Sequence, residues 1–462
     1  MSLIKSISGF RGTIGGRPND NLTPIDIVKF ASAYGTWLIR KSAGKKKVIV
    51  GRDGRMSGLM VEALVEQSLL ALGIDVVHLG LSTTPTVEMA VVFENADGGI
   101  ILTASHNPKE WNALKLLNEK GEFVSGEEGK TILALAEQED FIYAPVDAMG
   151  ELIGDDNSLS KHIQAILDHP LVDIYAIKKA NFKVVVDAIN SSGAFTVPAL
   201  LKAIGVDDIL VLNAEMTGDF AHNPEPLKEH LTELCDTVVK EKAHLGIAVD
   251  PDVDRLCFVS EDGNLFGEEY TLVAIADYIL QYTKGATVSN LSSTRALRDV
   301  TEQHGCTYFA SAVGEVNVVT KMKAENAIIG GEGNGGVIFP ESHYGRDALV
   351  GIGLFLTHLA RKNKKVSDLR AEYPAYIMSK NKIELSANLN VDLILATVAE
   401  QFKDERVNTI DGVKIDFADR WVHLRKSNTE PIIRIYSEAP TESEANGLAQ
   451  QIMQVIKAIA SK

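Results

Sequence analysis

The sequence predicts an α/β protein in which one strand–turn–helix pattern is used three times before a different C-terminal part. Apolar strands at residues 47–50, 183–186 and 287–289 each end in a polar turn and lead into a helix, which is the start of a βαβ unit. Each unit is followed by a second short apolar strand that breaks into an unusual loop. We therefore expect one fold with one functional loop in each copy, although the copies share little identity.

Size and charge limit the class of protein. The 462 residues predict three or four domains, and a content of 45% hydrophobic and 23% charged residues is typical of a globular chain. A net charge of −16 disfavours a nucleic-acid partner, which normally meets a basic surface. A phosphorylated ligand would therefore have to be met by local positive groups.

The cellular setting follows from what the sequence lacks. No apolar stretch approaches the roughly 18 residues of a membrane span, and the first residues have no signal-peptide apolar region. The three cysteines stand apart without a C-x-x-C pair, which argues against disulfides and against a thiolate zinc site. We expect a cytoplasmic protein without a membrane partner.

The two ends of the chain carry their own signals. Residues 8–18 are rich in glycine and contain Arg11, as in a loop that lets backbone approach a ligand or in an ordinary N-terminal turn. Thr23 and Pro24 then begin a helix. The C-terminal part is predicted to contain a helix at 392–402, two or three strands at 413–417, 421–424 and 432–436, and a closing helix after Thr441.

The segment TASHNP follows a buried strand at residues 100–102. Asn107 and Pro108 signal a turn, so Ser105 is expected on a tight turn at a strand end, where open α/β sheets bind ligands. Lys115 lies in a second apolar patch from which its cation could point back at the turn. On its own the hexapeptide also suits a turn without chemistry, because these residue types favour turns.

The acidic segment DPDVDR is flanked on both sides by apolar residues. Its carboxylates Asp250, Asp252 and Asp254 lie at alternate positions and repel one another unless a cation sits among them. A flat strand would space them about 6.6 Å apart, whereas opposite ligands of Mg²⁺ lie only about 4 Å apart, so the segment must curl. Oxygen ligands favour Mg²⁺, Mn²⁺ or Ca²⁺ over zinc. An EF-hand is disfavoured because Arg255 stands where glycine is needed, and a solvated acidic turn is the remaining alternative.

Two further loops offer groups for a phosphorylated sugar. GEGNGG at 331–336 matches G-x-G-x-x-G only formally, because strand-like VIFP follows where a dinucleotide site needs a helix. Its glycines let backbone approach a ligand, and Glu332 is the charged group able to grip sugar hydroxyls. RKSNTEP at 425–431, with Arg434 beyond it, offers cations, hydroxyls and N–H groups for a non-reacting phosphate. A hairpin turn with surface charges is the alternative there.

Together these loops indicate phosphoryl transfer. A hydroxyl nucleophile and a divalent metal move a phosphoryl group, a separate cradle holds a second phosphate, and a carboxylate holds hydroxyls. A simple kinase is disfavoured because no G-x-x-x-x-G-K-[ST] loop occurs in the chain. The set suits a phosphosugar with a phosphate at either end.

The motifs TASHNP, DPDVDR, GEGNGG and RKSNTEP, in this order, resemble those of the α-D-phosphohexomutase superfamily, and the likeness spans essentially the whole chain. The resemblance implies a four-domain α/β protein around a central cleft, with three similar mixed-sheet domains and a C-terminal helix-flanked antiparallel sheet. The implied domains are 1–152 with the phosphoserine, 153–258 with the metal, 259–370 with the sugar site and 371–462 with the phosphate site.

The resemblance also implies a mechanism. Ser105 would be carried as phosphoserine, donate its phosphoryl group to a sugar monophosphate and take back the other phosphate of the resulting sugar 1,6-bisphosphate, which also serves as activator. Asp250, Asp252, Asp254 and a phosphoserine oxygen would hold Mg²⁺. The other matching residues are Arg255 and His106 beside the phosphoserine, Arg11 and Lys115 for proton transfer or charge stabilisation, Glu332 and Asn334 at the sugar, and Arg425, Ser427, Asn428, Thr429 and Arg434 at the phosphate. A lysine base would need a lowered pKa, which neighbouring cations could provide.

The chain departs from the family in the sugar loop. Most members have Ser and then Gly-His after the sugar-binding glutamate, where this chain has Asn334, Gly335 and Gly336. His343 is a candidate to replace the missing histidine as acid or base, and Glu315 stands where some mutases have histidine. GEGNGG, VGEVNVV and GRDA are most similar to phosphoglucosamine mutases of the archaeal type. We therefore expect conversion of glucosamine 6-phosphate to glucosamine 1-phosphate, with glucose and mannose phosphates as alternatives.

Two other hypotheses use the same residues. A metal-dependent sugar phosphatase would use the same serine but release inorganic phosphate, whereas a mutase must protect its phosphoserine from water. A non-catalytic sugar-phosphate sensor would bind without turnover. In each case the partner is a small sugar phosphate, and the chain is expected to be a monomer or a homodimer.

Overall fold

The computed structural model describes residues 2–6, 9–384, 390–426 and 432–460. The chain divides into two compact units, the first formed by Met1–Thr271 with Gly335–Leu369 and the second by Leu272–Asn334 with Arg370–Lys462. Within these described ranges, none of the helices combines the length and the apolar character needed to cross a membrane. The three cysteines are free thiols, which confirms the absence of disulfides.

Residues 4–154 build a seven-stranded mixed sheet with helices on both faces. The elements are β1 (Ile4–Ser6), β2 (Gly9–Thr13), α1 (Pro24–Lys41), β3 (Lys47–Arg52), α2 (Gly58–Ala71), β4 (Asp75–Leu81), α3 (Thr84–Phe93), β5 (Gly98–Leu102), β6 (Trp111–Leu117), α4 (Gly126–Gln138) and β7 (Leu152–Gly154). The strand order is β1-β2-β6-β5-β3-β4-β7. Because β3 and β5 are parallel neighbours with Arg52 opposite Leu102, the turns that follow these two strands lie side by side.

Alternation of side chains explains how this sheet carries helices on both faces. Val48 and Val50 point into one apolar core, whereas Ile49, between them, points into the other. Ile100 and Ile101 on the neighbouring strand divide in the same way. A strand buried on both faces reads as a continuous apolar run, which is the pattern that the sequence shows.

Residues 158–260 build a second mixed sheet. The elements are α5 (Ser158–Asp168), α6 (Ile174–Ala180), β8 (Lys183–Asp187), α7 (Gly193–Ala203), β9 (Asp208–Leu212), α8 (Thr232–Lys240), β10 (Leu245–Val249) and β11 (Leu256–Ser260). The strand order is β11-β10-β8-β9. β10 runs parallel to β8 and antiparallel to β11, and Val249 pairs with Leu256. The acidic segment at 250–255 is therefore the connection of an antiparallel hairpin.

The following stretch repeats the pattern once more. Its elements are α9 (Glu268–Tyr282), β12 (Thr287–Asn290), α10 (Ala296–Gln303), β13 (Tyr308–Ser311), α11 (Glu315–Glu325), β14 (Ile329–Glu332), β15 (Gly336–Ile338), α12 (Ala348–Lys362) and α13 (Val366–Arg370). β12 pairs in parallel with both β13 and β14. The predicted strand–turn–helix units are thus confirmed at β3–α2, β8–α7 and β12–α10.

The C-terminal part is an antiparallel sheet with helices packed on it. Its elements are β16 (Ile377–Glu384), α14 (Val391–Gln401), β17 (Arg406–Asn408), β18 (Val413–Asp416), β19 (Trp421–Lys426), β20 (Ile432–Ala439) and α15 (Glu442–Ala460). The strand order is β16-β20-β19-β18-β17. The three predicted strands are confirmed as β18, β19 and β20, but the sheet contains two more. β16 was missed because its apolar residues do not alternate and half of its residues are exposed, and β17 because it spans three residues.

His343, the residue considered as a replacement acid or base, lies in a buried ion cluster of the first unit. Its Nε2 lies 3.2 Å from Asp347 Oδ2, and its Nδ1 lies 3.3 Å from Glu88 Oε2. His162 Nε2 contacts the same Asp347 oxygen at 2.9 Å. Burial lowers the pKa of His343, but the two carboxylates outweigh burial and raise this pKa to about 10. His343 is therefore a cation that joins α3, α5 and the start of α12.

Replacing His343 by Gln should lower the melting temperature, and the loss should depend on pH. The folded-state pKa of about 10 lies above the ordinary value for histidine of about 6.5. Protonated His343 therefore stabilises the fold fully below about pH 6.5, and this contribution disappears as the pH rises through 10. Melting curves of both proteins between pH 6 and 10.5 measure the difference. A difference that stays constant over this range would contradict a charged His343.

Candidate active site

Ser105 lies on the turn that follows β5, at a strand end. Only 3% of its surface is exposed, and its φ of 49° lies in the left-handed region that few residues other than glycine adopt. Its N–H donates to Thr103 Oγ1 at 2.9 Å, and its Oγ donates to Asp250 Oδ2 at 2.6 Å. The Ser105 hydroxyl group therefore joins the turn after β5 to the β10–β11 connection.

Arg55 holds this turn in shape. Its Nε donates to Asp53 Oδ2 at 3.0 Å, and its side chain is fully buried. Its guanidinium group donates to the main-chain carbonyl groups of Ser105, Asn107, Pro108 and Trp111. Sequence analysis missed this role, although the signal was present: GRDGR follows the strand that pairs in parallel with β5.

The DPDVDR segment curls, as the spacing of its carboxylates requires. Val253 adopts a φ of 61°, which is rare for a β-branched residue and costs on the order of 1–3 kcal/mol. Its N–H donates to the Asp250 carbonyl at 3.0 Å. Asp250 Oδ1 accepts the N–H groups of Asp254 and Arg255, each at 3.1 Å. The Asp250 carboxylate therefore fixes the loop that carries the other two carboxylates.

The three carboxylates converge on one point. Asp250, Asp252 and Asp254 are fully buried, and one oxygen from each lies within 4.8 Å of the others. Asp252 Oδ1 and Asp254 Oδ1 have no hydrogen-bond partner among the described residues. Buried carboxylate oxygens need a cation or a donor, and an all-oxygen set suits Mg²⁺, Mn²⁺ or Ca²⁺. The residues present therefore fit a divalent metal.

Lys115 reaches this carboxylate group from β6. Its Nζ donates to Asp252 Oδ2 at 2.7 Å and to Asp254 Oδ2 at 3.3 Å, so the cation contacts the β10–β11 connection. Burial lowers the pKa of Lys115, but the charges of Asp252 and Asp254 outweigh burial and raise it. In this arrangement Lys115 therefore lacks the lowered pKa that a lysine base needs.

Three arginines surround the same place. Arg11 Nη1 donates to Asn107 Oδ1 at 2.8 Å, and Arg346 Nη2 donates to Asp254 Oδ2 at 2.7 Å. Arg255 Nη1 donates to Glu225 Oε1 at 3.1 Å, whereas its Nε lies 3.9 Å from the nearest Asp250 oxygen. Sequence analysis missed Arg346, which the GRDA motif contains but which no spacing rule linked to DPDVDR.

These cations set the protonation of His106, whose Nδ1 lies 3.4 Å from Ser105 Oγ. Burial, together with Arg255, Arg11 and Arg346, lowers the pKa of His106 to about 2. Burial and neighbouring guanidinium groups also lower the pKa of Arg11, against the opposing charge of Asp252. The imidazole is therefore neutral at pH 7, in a setting of positive charge suited to an anion.

Glu332 and Asn334 of the sugar loop belong to the second unit. Glu332, at the end of β14, is buried, and its Oε1 accepts from Asn290 Nδ2 at 2.8 Å and from the Gly314 N–H at 3.1 Å. Asn334, two residues on, is half-buried. Glu315 is buried at the start of α11. The carboxylate of Glu332 is thus held by donors from the ends of two neighbouring strands.

The phosphate-loop residues also belong to the second unit. Arg425 pairs with Arg434 across the β19–β20 ladder, and Arg434 is exposed. Arg425 Nε lies 2.9 Å from Asp411 Oδ2. Ser427, Asn428 and Thr429 lie outside the described residues. The described part of this loop therefore consists of Arg425 and Lys426, and Lys426 Nζ donates to Asp392 Oδ2 at 2.9 Å.

Family models match four consecutive parts of the chain. They are the phosphoglucomutase/phosphomannomutase alpha/beta/alpha domain I at residues 4–143, domain II at 160–263, domain III at 267–376 and the C-terminal domain at 386–455. These matches agree with the three mixed α/β sheets and the final antiparallel sheet described above.

Named relatives match over nearly the whole chain. A phosphoglucomutase/phosphomannomutase of Thermococcus kodakarensis is 38% identical, covering 94% of this chain and 95% of its own. A phosphoglucosamine/phosphogalactosamine mutase of Sulfurisphaera tokodaii is 33% identical, covering 99% and 100%. The structure of a phosphoglucomutase/phosphomannomutase family protein from Burkholderia thailandensis matches with a TM-score of 0.85 at 25% identity, over 98% of this chain and 97% of that one. With all four domain models matched in order, the chain belongs to the phosphoglucomutase/phosphomannomutase family of phosphohexomutase enzymes.

Proposed function

We propose that this chain converts glucosamine 6-phosphate to glucosamine 1-phosphate through a phosphoserine at Ser105 and a sugar 1,6-bisphosphate. The observation that carries the proposal is the 2.6 Å contact between Ser105 Oγ and Asp250, inside a group of three buried carboxylates. A serine joined to such a loop suits phosphoryl transfer, because positioning and charge neutralisation provide most of the catalysis.

The chemistry consists of two transfers. In the first, a hydroxyl oxygen of the sugar monophosphate attacks the phosphorus of phosphoserine, a new P–O bond forms as the P–Oγ bond breaks, and the hydroxyl proton ends on Ser105 Oγ. In the second, Ser105 Oγ attacks the other phosphoryl group of the bisphosphate, the bond from that phosphorus to the sugar oxygen breaks, and the serine proton ends on that oxygen to give the isomeric monophosphate. Lys115 and Arg11 would contribute positive charge or transfer a proton in both steps.

A divalent metal fits this proposal. Asp250, Asp252, Asp254 and an oxygen of phosphoserine would hold Mg²⁺, which neutralises phosphoryl charge when bound. Arg346, which donates to Asp254, would orient one of these ligands. Arg255, beside Asp250, would meet the phosphate on Ser105.

The substrate assignments complete the proposal. Glu332 and Asn334 would hold sugar hydroxyls, and Arg425, Arg434 and residues 427–429 would bind the non-reacting phosphate. The names of the relatives from Sulfurisphaera tokodaii and Methanopyrus kandleri support glucosamine phosphate. A second candidate is a phosphoglucomutase or phosphomannomutase, favoured by the name of the 38% identical relative.

The finer organisation is part of the same proposal. Domains at 1–152, 153–258, 259–370 and 371–462 are supported by family matches that end and restart near these boundaries. We propose a cytoplasmic enzyme, either monomer or homodimer, with a sugar 1,6-bisphosphate as activator.

The deciding experiment is an isomerisation assay with glucosamine 6-phosphate, glucose 1-phosphate and mannose 1-phosphate, each with trace bisphosphate. We expect glucosamine 6-phosphate to give the highest kcat/KM, and Ser105→Ala to remove turnover while the melting temperature stays close to that of wild type. Thr13→Ala is the control, because it removes a half-buried hydroxyl group that contacts Ser2 and Asn21 instead of the site. Substantial isomerisation by Ser105→Ala would overturn the mechanism, and net release of inorganic phosphate would favour a phosphatase.

Chelation should inactivate the enzyme reversibly. EDTA is expected to remove turnover and added Mg²⁺ to restore it, because two buried carboxylate oxygens otherwise lack partners. In a parallel melting experiment, Mg²⁺ should raise the melting temperature of wild type but not of Asp252→Asn. Activity that is indifferent to EDTA, together with an equal Mg²⁺ effect on both proteins, would remove the metal assignment.

Arg55→Lys should lower kcat by roughly 10- to 100-fold with little change in KM. A lysine ammonium cannot bridge the four carbonyl groups that Arg55 contacts, so the Ser105 turn would relax, and misplacement by about 1 Å can lower a rate by about 10²-fold. Arg52→Lys is the matched control. Arg52 is the last residue of β3, and its side chain contacts Glu62 and the Asp53 carbonyl instead of the Ser105 turn. If Arg55→Lys lowers the melting temperature but leaves kcat within twofold of wild type, Arg55 has only a structural role.

A further inference from the structure

A cavity of about 220 Å³ lies in the second unit, between strand β13 and strands β17 and β18. Among the described residues that line it, one carries a negative charge, Asp416. Five carry a positive charge: Arg295, Arg298, Lys321, Arg406 and Lys414. Such a concentration of cations is unexpected in a chain whose net charge is −16. We propose that this cavity binds a dianionic phosphoryl group, either as free phosphate or on a small ester.

The cavity is separate from the proposed phosphate loop. Asp416, which lines the cavity, pairs with Trp421 at the beginning of β19. The phosphate-loop residue Arg425 and its neighbour Lys426 lie at the other end of that strand. Arg425 is four residues, or about 14 Å, from Trp421, and Lys414, the lining residue nearest to it on β18, pairs with His423, two residues or about 7 Å from Arg425. Neither Arg425 nor Lys426 lines the cavity. A ligand in the cavity would therefore be distinct from a phosphate held at Arg425.

Arg295 supplies the donors that need an acceptor. Only 5% of its surface is exposed, and its Nε and Nη1 have no hydrogen-bond partner in the part of the chain that the structure describes. Its Nη2 donates to the Phe417 carbonyl at 3.2 Å and lies 4.0 Å from Asp416 Oδ1, beyond hydrogen-bond distance. A buried guanidinium group with unmet donors is destabilising unless an acceptor is present. The planar Nε–Nη edge matches two phosphate oxygens.

Lys414 supplies a second buried cation. It is 5% exposed, and its Nζ donates to the Leu291 carbonyl at 2.8 Å. Burial lowers its pKa to about 8, with Asp416 and Glu438 acting against burial and Arg298 and Arg295 acting with it. A dianion in the cavity would favour the charged form of Lys414. Among the described residues, the hydrogen-bond acceptor of the Lys414 ammonium group is this neutral carbonyl and not a carboxylate.

The remaining cations define the rim. Lys321 is paired with Glu325 at 2.6 Å, and Arg298 lies 3.2 Å from Asp299, so these two are partly neutralised. Arg406 is exposed at the end of β17. Tyr308 and Phe309 form an aromatic part of the wall that could contact the carbon skeleton of an ester. The volume limits the ligand to a small molecule.

The test is equilibrium dialysis of the full-length protein with radiolabelled inorganic phosphate at low ionic strength. Besides any binding at Ser105 and Arg255, we expect one phosphate site that is lost in Arg425→Ala and one that persists there and depends on Arg295. In the Arg425→Ala background, Arg295→Gln should weaken the persisting site at least tenfold. The exposed Arg406→Gln should weaken it about threefold without affecting folding. Arg40→Gln, which removes a cation far along the chain in the first unit, should have no effect.

A second arm identifies the source of the phosphoryl group. Glycerol 3-phosphate and glycerol compete with labelled phosphate at the persisting site. If glycerol 3-phosphate competes and glycerol does not, the cavity recognises the phosphoryl group. If glycerol 3-phosphate also competes more strongly than unlabelled phosphate, the ligand is an ester. The proposal is overturned if Arg425→Ala binds no phosphate, or if Arg406→Gln and a correctly folded Arg295→Gln both bind as tightly as their parent. Because binding is measured, the result does not depend on whether the chain is a mutase.

Discussion

The hydrogen bond from Ser105 Oγ to Asp250 Oδ2 is the contact on which the active site depends. The Asp250 carboxylate is fully buried and also accepts two main-chain N–H groups from its own loop. One carboxylate thereby fixes both the curl of the acidic segment and the position of the serine. Since a buried carboxylate is tolerated only with donors or a cation, the serine turn and the acidic loop stabilise each other.

Charge balance explains why an acidic protein can bind a phosphorylated ligand. Three carboxylates at the site are surrounded by the cations Lys115 and Arg346, which contact them, and by Arg11 and Arg255 nearby. These positive groups are buried rather than spread over the surface, so solvent screens them weakly. The low pKa of His106 comes first from burial and then from this positive field, because protonation would place another cation among the arginines.

Local patterns predicted the parts of the fold and site that are local in sequence. The turn of Ser105 and the curl of the acidic segment each follow from spacing and turn chemistry within about a dozen residues, whereas the partners of Lys115, Asp252 and Asp254, lie far away in sequence. Arg55 and Arg346 were missed because their contacts span about 50 and 92 residues. Those contacts exist only because β3 pairs with β5 and because Arg346 approaches the β10–β11 connection, and no periodicity encodes such arrangements. β16 was also missed, because its local pattern is unfavourable for a strand and only its pairing with β20 makes it one.

Two arginines that are at most 6% exposed share one physical signature, a guanidinium group whose Nε lacks a hydrogen-bond partner among the residues described here. Arg255 shows it beside the Ser105 turn, and Arg295 shows it in the cavity of the second unit. Leaving such donors unmet destabilises a fold, so the signature persists where a ligand supplies the acceptors. At Arg255 the proposed phosphoserine at Ser105 would be that acceptor. The same reasoning, applied to a second arginine with the same burial and an adjoining cavity, requires an anion there as well.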